Sequence, residues 1–194
     1  MTAINQQSSI ISLRKTIRDR RNGLTNSEQI AASKMLSTQL IQTMPPNAKR
    51  FAIYLASDGE INPMPFIEHC WQHNIEVYLP VLHPFSAGNL LFLRYLPTTT
   101  MTTNKYGISE PKLDVTQVLP ANALDVIYTP LVAFDGQGNR MGMGGGYYDR
   151  TLAANPHITT IGIAHDCQQV AKLQVQPWDM PLQRIITPTQ IITP

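Results

Sequence analysis

Apolar residues recur at a helical spacing near the start of the chain. Ile10, Leu13 and Ile17 lie three or four positions apart, which predicts an amphipathic helix over residues 9–22. Three basic residues are expected on a different face of this helix: Arg14, Arg18 and Arg21. The helix therefore has one face to bury and one charged face.

A second helix is predicted directly after the first. The segment Thr25-Asn26-Ser27-Glu28 is typical of a capping box, in which a hydroxyl and a carboxylate satisfy amides of the first turn. Ala32, Leu36 and Leu40 should form the buried stripe of this helix, and Pro45-Pro46 should end it.

Beyond this point the apolar residues form short continuous runs, which predict strands. The runs 51–55 and 75–79 flank a helix that carries Phe66, Ile67 and Trp71 and that Asn62-Pro63 should cap. A strand, a helix and a strand within about thirty residues form a βαβ unit, which implies a parallel sheet.

Further runs complete the predicted sheet. Strands are expected at 90–95, 125–129, 158–163 and 184–187, whereas 131–134 either continues a strand or turns away. The Thr-rich residues 97–104 are predicted to be a mobile loop. The pattern favours one α/β domain over residues 1–194, with a three-layer α/β/α, Rossmann-like arrangement, a mainly parallel sheet and a two-helix N-terminal extension.

The composition agrees with one globular domain. The chain has 194 residues, of which 43% are hydrophobic and 14% charged, so it can bury a sizeable core. No apolar run approaches the roughly 18 residues that span a bilayer, and residues 1–12 do not resemble a secretion signal. Cys70 and Cys167 are too few for a disulfide framework, which favours free thiols in the cytoplasm.

Charge is distributed unevenly along the chain. Residues 1–50 hold eight Lys/Arg and two acidic residues, a net charge of +6, so the remainder carries −4. A basic segment of this kind can bind nucleic acid, reach an anionic substrate held elsewhere, or form a solvated helix face. Because no aromatic residue lies between these charges, nothing there would stack on a base, which disfavours nucleic acid.

The strongest chemical signal lies at residues 140–149. Four of the five residues 142–146 are glycines, and they lie between a predicted strand and a predicted helix. Their amides and the helix N-terminus can surround phosphate oxygens. Arg140 can add a bidentate contact to a phosphoryl group, and Asp149 can hold Mg²⁺. The spacing matches neither a Walker A loop nor the dinucleotide fingerprint, and a flexible hairpin loop is the structural alternative.

This glycine loop, with the preceding residues 129–135, closely resembles the 5-formyltetrahydrofolate cyclo-ligase family, also called 5,10-methenyltetrahydrofolate synthetases. Three other regions agree with the family in order and spacing: the basic helix around Leu13-Arg14, residues 54–61 and residues 178–181. The resemblance runs from about residue 10 to the C-terminus, and the glycine loop is its most specific part.

The resemblance implies an ATP-dependent ligase of folate one-carbon metabolism. In the family, ATP activates the formyl oxygen of 5-formyltetrahydrofolate as a phosphate ester, and N10 of the same folate attacks the activated carbon. The products are 5,10-methenyltetrahydrofolate, ADP and phosphate. Because both nucleophiles belong to the folate, the protein needs only to position its substrates and stabilise charge. The sequence offers no convincing nucleophile–base pair, in agreement with this chemistry.

The resemblance also implies the site residues. ATP is expected at Arg14, Arg140, Gly142, Met143, Gly144, Gly145, Gly146, Tyr147 and Tyr148. The folate is expected at Leu55, Glu60, Met143, Gly144, Gly145, Gly146 and Tyr147. Asp149 and Asp179 are the expected Mg²⁺ ligands, and Arg140 and Tyr148 the expected catalytic residues. Glu60 is suited to accept hydrogen bonds from the pterin.

Three positions depart from the family pattern. Ile10, Met143 and Gly145 stand where many or some members carry a basic residue, and Lys15 or Arg18 could replace the first of these charges. The expected partners are small molecules, with no membrane or nucleic acid, and the chain is expected to be a monomer. Two alternatives share the architecture: a nucleic-acid-binding or regulatory module, and an ATP-independent isomerase or transferase.

Several other polar residues have simpler structural explanations. His69 and His73 lack the glutamate of a zinc protease and are expected on a solvated helix face. His165 is expected to hydrogen-bond the helix that follows rather than to form a dyad with Asp166. Trp178 belongs either to the core or to a pocket wall. Two aspartates beside glycine are expected as turn residues: Asp58 and Asp135.

Overall fold

Two helices open the chain in a computed structural model that describes residues 3–194, with side chains from residue 8 onward. Helix α1 covers Ala3–Asn22 and helix α2 covers Asn26–Thr43. The Glu28 amide donates to the Thr25 hydroxyl at 3.3 Å, and the Thr25 amide donates to the Glu28 carboxylate at 2.7 Å. The predicted capping box is therefore confirmed.

Most of the remaining regular structure is one sheet with two further helices. Helix α3 covers Met64–Gln72 and helix α4 covers Tyr147–Ala154. The strands, in chain order, are β1 Arg50–Ala52, β2 Glu76–Leu82, β3 Leu90–Arg94, β4 Met101–Thr103, β5 Ser109–Pro111, β6 Val118–Leu119, β7 Val126–Thr129, β8 Ala133–Phe134, β9 Arg140–Met141, β10 Thr159–Ile163, β11 Arg184–Ile186 and β12 Ile191–Ile192.

The main sheet is mixed but mostly parallel at its centre. Its strand order is β12-β11-β10-β7-β1-β2-β3-β6. The five central strands from β11 to β2 are parallel, whereas β12, β3 and β6 pair antiparallel at the two edges. The predicted mainly parallel α/β sheet is confirmed, and the strand at 90–95 is antiparallel.

Helices cover both faces of this sheet. Alternate residues of a strand point to opposite faces, so Phe51 packs beneath α2 and α3 while its neighbour Ala52 belongs to the cluster on the other face, with Leu152 of α4. Leu36 and Leu40 of α2 are fully buried in the first cluster. The three layers are confirmed, and α2 is part of one layer rather than an appendage.

Helix α1 packs beside the sheet through a smaller third cluster. Ile17 is fully buried there with Val132, Ala133 and Leu173. Two details differ from expectation. The Thr-rich segment is not wholly a loop, because β4 pairs with β5 as a separate hairpin. Arg21 is 1% exposed and lies on the buried side of α1 rather than on its charged face.

The strand order reverses between β1 and β7. From β1 the chain proceeds to β2 on one side through α3, and later from β7 to β10 on the other side through α4. Loops that follow neighbouring strands diverge at such a point and leave a crevice at the carboxyl edge of the sheet, where ligands of α/β proteins bind. The segments that leave this edge are 53–60 after β1, 83–89 after β2, 130–132 after β7 and 164–165 after β10.

Candidate active site

The glycine loop leads into α4, as predicted, but the strand directly before it is β9, which lies where the loop itself was expected to begin. Gly144 and Gly146 have φ of 93° and 67°, a left-handed conformation that glycine adopts without strain. Gly146 is also the N-cap residue of α4. A Cβ added at Gly145 would lie 2.7 Å from the Tyr147 ring, so a side chain here would require that ring to move. Met143 is 60% exposed at the tip of the loop.

Arg140 anchors the start of the loop in the protein interior. Its side chain is 5% exposed, and its guanidinium donates to the Asp149 carboxylate and to the Met180 carbonyl, each at 2.5 Å. Burial lowers the pKa of Arg140, and the Asp149 and Asp179 carboxylates oppose that shift. The structure therefore brings the two predicted metal ligands to one cation, although they are thirty positions apart in sequence.

Arg14 reaches the same loop from α1. Its Nε donates to the Gly142 carbonyl at 2.8 Å, and its Nη2 would lie 3.4 Å from a Cβ at Gly144. The N-terminal helix thus supplies a cation to the glycine loop, as the resemblance implied.

Glu60 lies on the other side of the crevice, in the turn that follows β1. Its side chain is 16% exposed, and its carboxylate accepts from the Ser57 amide at 3.1 Å and the Ser57 hydroxyl at 3.3 Å. Burial raises the pKa of Glu60. Leu55, on the same segment, is half-buried and packs against the first core cluster.

Tyr148 lies between these two groups of residues. Burial raises the pKa of its phenol; the negative charge of Glu60 adds to that shift, and the positive charge of Arg140 opposes it. The phenol therefore stays protonated at neutral pH. The charges that influence Tyr148 are therefore Glu60, on the folate side of the predicted site, and Arg140, on its phosphate side.

Arg150 and Tyr106 also hold the glycine loop, and neither was predicted. The Arg150 guanidinium donates to the Gly145 carbonyl at 2.6 Å and to the Gly88 carbonyl at 2.8 Å, which ties the glycine loop to the segment after β2. The Tyr106 hydroxyl, at the tip of the β4–β5 hairpin, lies 3.1 Å from the Tyr147 hydroxyl. Both contacts depend on distant parts of the chain, so sequence spacing gives no signal for them.

The Asp58 turn joins α1 to the segment that carries Glu60. Asp58 has a φ of 49°, and its carboxylate accepts from Arg18 at 2.7 Å and from Arg21 at 2.9 Å. These partners hold the pKa of Asp58 at about 2, below its ordinary 3.8. The predicted turn role of Asp58 is confirmed. Arg21 could have been found from sequence, since it lies four residues after Ile17 on the same helical stripe.

Asp58→Asn is expected to lower the free energy of unfolding at pH 7 by about 1 kcal/mol. The lowered pKa alone corresponds to about 2 kcal/mol, and solvent screening reduces this because the side chain is 35% exposed. A carboxyl whose folded pKa is depressed stabilises above its unfolded pKa, so the difference between the two proteins should shrink as the pH falls from about 4 towards 2. Urea unfolding at pH 7 and pH 3 measures this difference in the free energy of unfolding. Asparagine also tolerates the positive φ at this position. A difference independent of pH would contradict this assignment.

Most of the remaining polar residues have structural partners, although the buried Nε2 of His165 has no hydrogen-bond partner in the described part of the chain. His73 and His69 stack at 3.9 Å on α3, and the His73 ring nitrogen contacts the His69 carbonyl. Asp166 accepts from two threonines rather than forming a dyad with His165, while Gln168 of the following 3₁₀ turn accepts from the His165 amide. Trp178 is 69% exposed and so does not belong to the core. Asp135, buried, accepts from three amides as a turn residue: Gln137, Asn139 and Leu173.

Two structural features are absent from the part of the chain that the structure describes. Within residues 3–194, no helix is both long and apolar enough to cross a membrane. Over the same residues, no group of three or more His, Cys, Asp or Glu side chains is arranged to hold a metal.

The fold and the site define an α/β protein with an anchored glycine loop at the carboxyl edge of a parallel sheet. The family model of 5-formyltetrahydrofolate cyclo-ligases matches residues 6–188, and the chain belongs to this family. It is 51% identical over 179 residues to the 5-formyltetrahydrofolate cyclo-ligase of Escherichia coli K12, covering 90% of this chain and 98% of that relative. The Haemophilus influenzae relative of the same name is 48% identical over 177 residues, covering 90% and 95%.

Solved structures agree with these relatives. The NMR structure of Aquifex aeolicus 5,10-methenyltetrahydrofolate synthetase superposes with a TM-score of 0.81 at 26% identity, covering 95% of this chain and 92% of that one. A 5,10-methenyltetrahydrofolate synthetase from Mycoplasma pneumoniae gives a TM-score of 0.75 at 25% identity, covering 92% and 98%. The family resemblance and the fold expected from the sequence are both confirmed.

Proposed function

We propose that this chain converts 5-formyltetrahydrofolate to 5,10-methenyltetrahydrofolate at the expense of ATP. Membership of the cyclo-ligase family, with 51% identity to a relative of that name, carries the proposal. The contacts around the glycine loop support the proposal, because Arg14 donates to the Gly142 carbonyl and Arg140 to the Asp149 carboxylate.

The reaction proceeds in two displacements. The formyl oxygen attacks the γ-phosphorus of ATP, a new O–P bond forms, and ADP leaves. N10 then attacks the formyl carbon and loses its proton, and the C–O bond to phosphate breaks as phosphate leaves. An amide-like oxygen is a poor leaving group, and phosphorylation converts it into a good one. The protein supplies position and charge stabilisation to groups that the two substrates already contain.

The glycine loop and its two arginines form the phosphate half of the site. Left-handed residues Gly144 and Gly146 allow the backbone to approach phosphoryl oxygens closely, so that successive amides can donate to them. Arg140 is fixed by Asp149 and by the Met180 carbonyl, so its charge needs little reorganisation. Arg14, held on the loop by Gly142, adds a second cation.

Glu60 and Tyr148 form the folate half of the site. Glu60, as a carboxylate, accepts hydrogen bonds from the ring N–H and amino group of the pterin. Tyr148, which stays protonated, donates a hydrogen bond to an oxygen at the reacting centre as negative charge develops there. Tyr147, which lies next to Gly146, provides an aromatic face for the pterin.

The site also fits Mg²⁺, with Asp149 and Asp179 as its ligands. Magnesium is commonly held by one or two protein carboxylates together with nucleotide oxygens, which matches two aspartates and ATP. When bound, Mg²⁺ would neutralise charge on the ATP phosphates. Asp149 also orients Arg140, so this carboxylate would serve both cations.

The same proposal also covers domain organisation, location, partners and oligomeric state. We propose that the 194 residues form one domain, because eight of the strands between residues 50 and 192 join in a single main sheet on which α2 packs. Free Cys70 and Cys167 suit a cytoplasmic location. The proposed partners are ATP and the folate, without nucleic acid, and the proposed state is a monomer. Arg14, Arg18 and Arg21 are engaged within the chain.

The purified protein is expected to generate the near-ultraviolet absorbance of the methenyl product from 5-formyltetrahydrofolate when ATP and Mg²⁺ are present. Phosphate release should match the methenyl group formed, one for one. Replacing ATP by a non-hydrolysable analogue is the control and should give no absorbance. No absorbance change with ATP would overturn the proposal, and turnover without ATP would favour an isomerase or transferase instead.

A further inference from the structure

Arg21 is a fully buried charged residue to which the proposed chemistry assigns no role. It lies in the last turn of α1, and its side chain is 1% exposed. Burying an isolated guanidinium is costly, so an arginine in this position needs partners that compensate for lost water. The identity of those partners indicates what the residue does.

The hydrogen bonds of the Arg21 guanidinium are directed at the loops of the crevice. Its Nε donates to the Asp58 carbonyl at 2.8 Å and its Nη2 to the Asp58 carboxylate at 2.9 Å. Its Nη1 lies 3.4 Å from the Leu131 carbonyl, after β7. The same Nη2 is 3.9 Å from Oε1 of Glu60. Arg21 therefore spans the ends of β1 and β7 and reaches the carboxylate proposed to bind the pterin.

The charges around Glu60 make Arg21 its counter-ion. Burial raises the pKa of Glu60, and the positive charge of Arg21 is the largest influence that lowers it again. His165, also beside Arg21, adds no second positive charge, because burial lowers its pKa to about 4. Tyr54 and Tyr148 face Glu60 as neutral phenols, since burial raises the pKa of both.

Arg18 provides an internal comparison. It donates to the same Asp58 oxygen at 2.7 Å, but its side chain is 40% exposed. The opposite charges of Arg18 and Asp58 can neutralise one another at the surface. The charges of Arg21 and Glu60 are then left as a more buried cation and anion. Removing Arg21 leaves Glu60 buried without its cation, and burial then favours the protonated carboxyl.

We infer that Arg21 is a positioning residue for folate recognition, which fixes the Asp58–Glu60 turn and keeps Glu60 available as a charged acceptor for the pterin N–H groups. This inference rests on the proposed function, since it needs the pterin to bind at Glu60. A protonated Glu60 would present a donor where the pterin also presents donors, and one favourable hydrogen bond would become a repulsive contact. The predicted loss is confined to the folate and spares ATP.

A double-mutant cycle tests the inference by calorimetric binding of 5-formyltetrahydrofolate and, separately, of ATP. Glu60→Gln should weaken folate binding by about 30-fold, as expected for the loss of hydrogen bonds to a charged group. Arg21→Met should weaken it by about 10-fold, with ATP affinity changed by less than about twofold. In the Glu60→Gln background, Arg21→Met should add less than about twofold, because its effect passes through Glu60. Arg18→Met is the matched control and should leave folate affinity within about twofold.

The other outcomes separate the two hypotheses. An equal loss from Arg21→Met in both backgrounds, or an equal loss for folate and ATP, would mean that Arg21 only supports the fold, and would overturn the inference. If Arg21→Met does not fold, Arg21→Lys can replace it in the same double-mutant cycle. Lysine keeps a positive charge but lacks the guanidinium that hydrogen-bonds Asp58. A wild-type protein that fails to bind 5-formyltetrahydrofolate would instead overturn the proposed function.

Discussion

Asp149→Asn is expected to lower kcat/KM for methenyl formation by at least about 1000-fold while the protein remains folded. The substitution removes a charge from two proposed tasks, since Asp149 both anchors Arg140 and is the proposed Mg²⁺ ligand on α4. Losing one preorganised charged contact to a phosphoryl group commonly costs about 100- to 1000-fold, and here two would be affected. The side chain is 29% exposed, so no core packing is lost. Steady-state kinetics and thermal unfolding measure both outcomes.

The dependence on Mg²⁺ separates the two tasks of Asp149. If it binds the metal, both Asp149→Asn and Asp179→Asn should raise the Mg²⁺ concentration for half-maximal rate, by about 10-fold or more. If it only orients Arg140, this concentration should stay unchanged while the rate falls. Asp166→Asn is a suitable control, because Asp166 bonds two threonines outside the site and its replacement should leave kinetics near those of the wild type. Retention of more than a tenth of the activity by Asp149→Asn would remove this residue from the mechanism.

The sheet was predictable from sequence because its signals are local. Buried parallel strands are continuous apolar runs, and each run lies close to where the sequence placed it, even though regular β1 ends at Ala52. The Ile53 amide still donates to the Tyr78 carbonyl at 3.0 Å, so the pairing extends one residue further. The β4–β5 hairpin was missed because its strands are short and polar, and cross-strand pairing rather than apolar periodicity defines it.

The site was predictable only in part. The glycine loop was predictable from sequence, because glycines at left-handed positions and a following helix are a local arrangement. The residues that anchor the loop were not predictable. Arg150 holds a carbonyl sixty-two positions away, and Arg140 meets a carbonyl forty positions away, so no spacing rule connects them. Arg21 is expected on the charged face because arginines are normally solvated, yet it lies four residues after Ile17 on the same buried helical stripe.

Helix α1 has the highest concentration of basic residues in the described chain, and two of its arginines bond distant loops. A charged helix face is usually solvated, yet Arg14 and Arg21 each bond a loop at the carboxyl edge of the sheet. Arg18 also bonds Asp58 but stays 40% exposed at the surface. Helix α1 therefore links the glycine loop to the Glu60 turn. Its positive charge contributes to the crevice that two anionic substrates are proposed to share.

Gly144→Val is expected to lower kcat/KM for ATP by about 100-fold. Gly144 has a φ of 93°, where a β-branched residue is strained by about 1–3 kcal/mol, so the loop should relax to a different conformation. A Cβ would also lie 3.4 Å from the Arg14 guanidinium, and the branched methyl groups would come closer still. Both changes turn the loop amides away from the phosphate oxygens that they are proposed to bind.

Gly136→Val is the matched control for Gly144→Val. Gly136 lies in the β8–β9 turn, is exposed, is not among the residues with positive φ, and has no atom within 4 Å of an added Cβ. Its replacement adds the same side chain without strain, so activity within about twofold of the wild type is expected. Equal activity of the two variants would show that the left-handed backbone at Gly144 is not needed for ATP. A loss confined to Gly144→Val, with unchanged thermal unfolding, would assign the loop conformation to nucleotide binding rather than to stability.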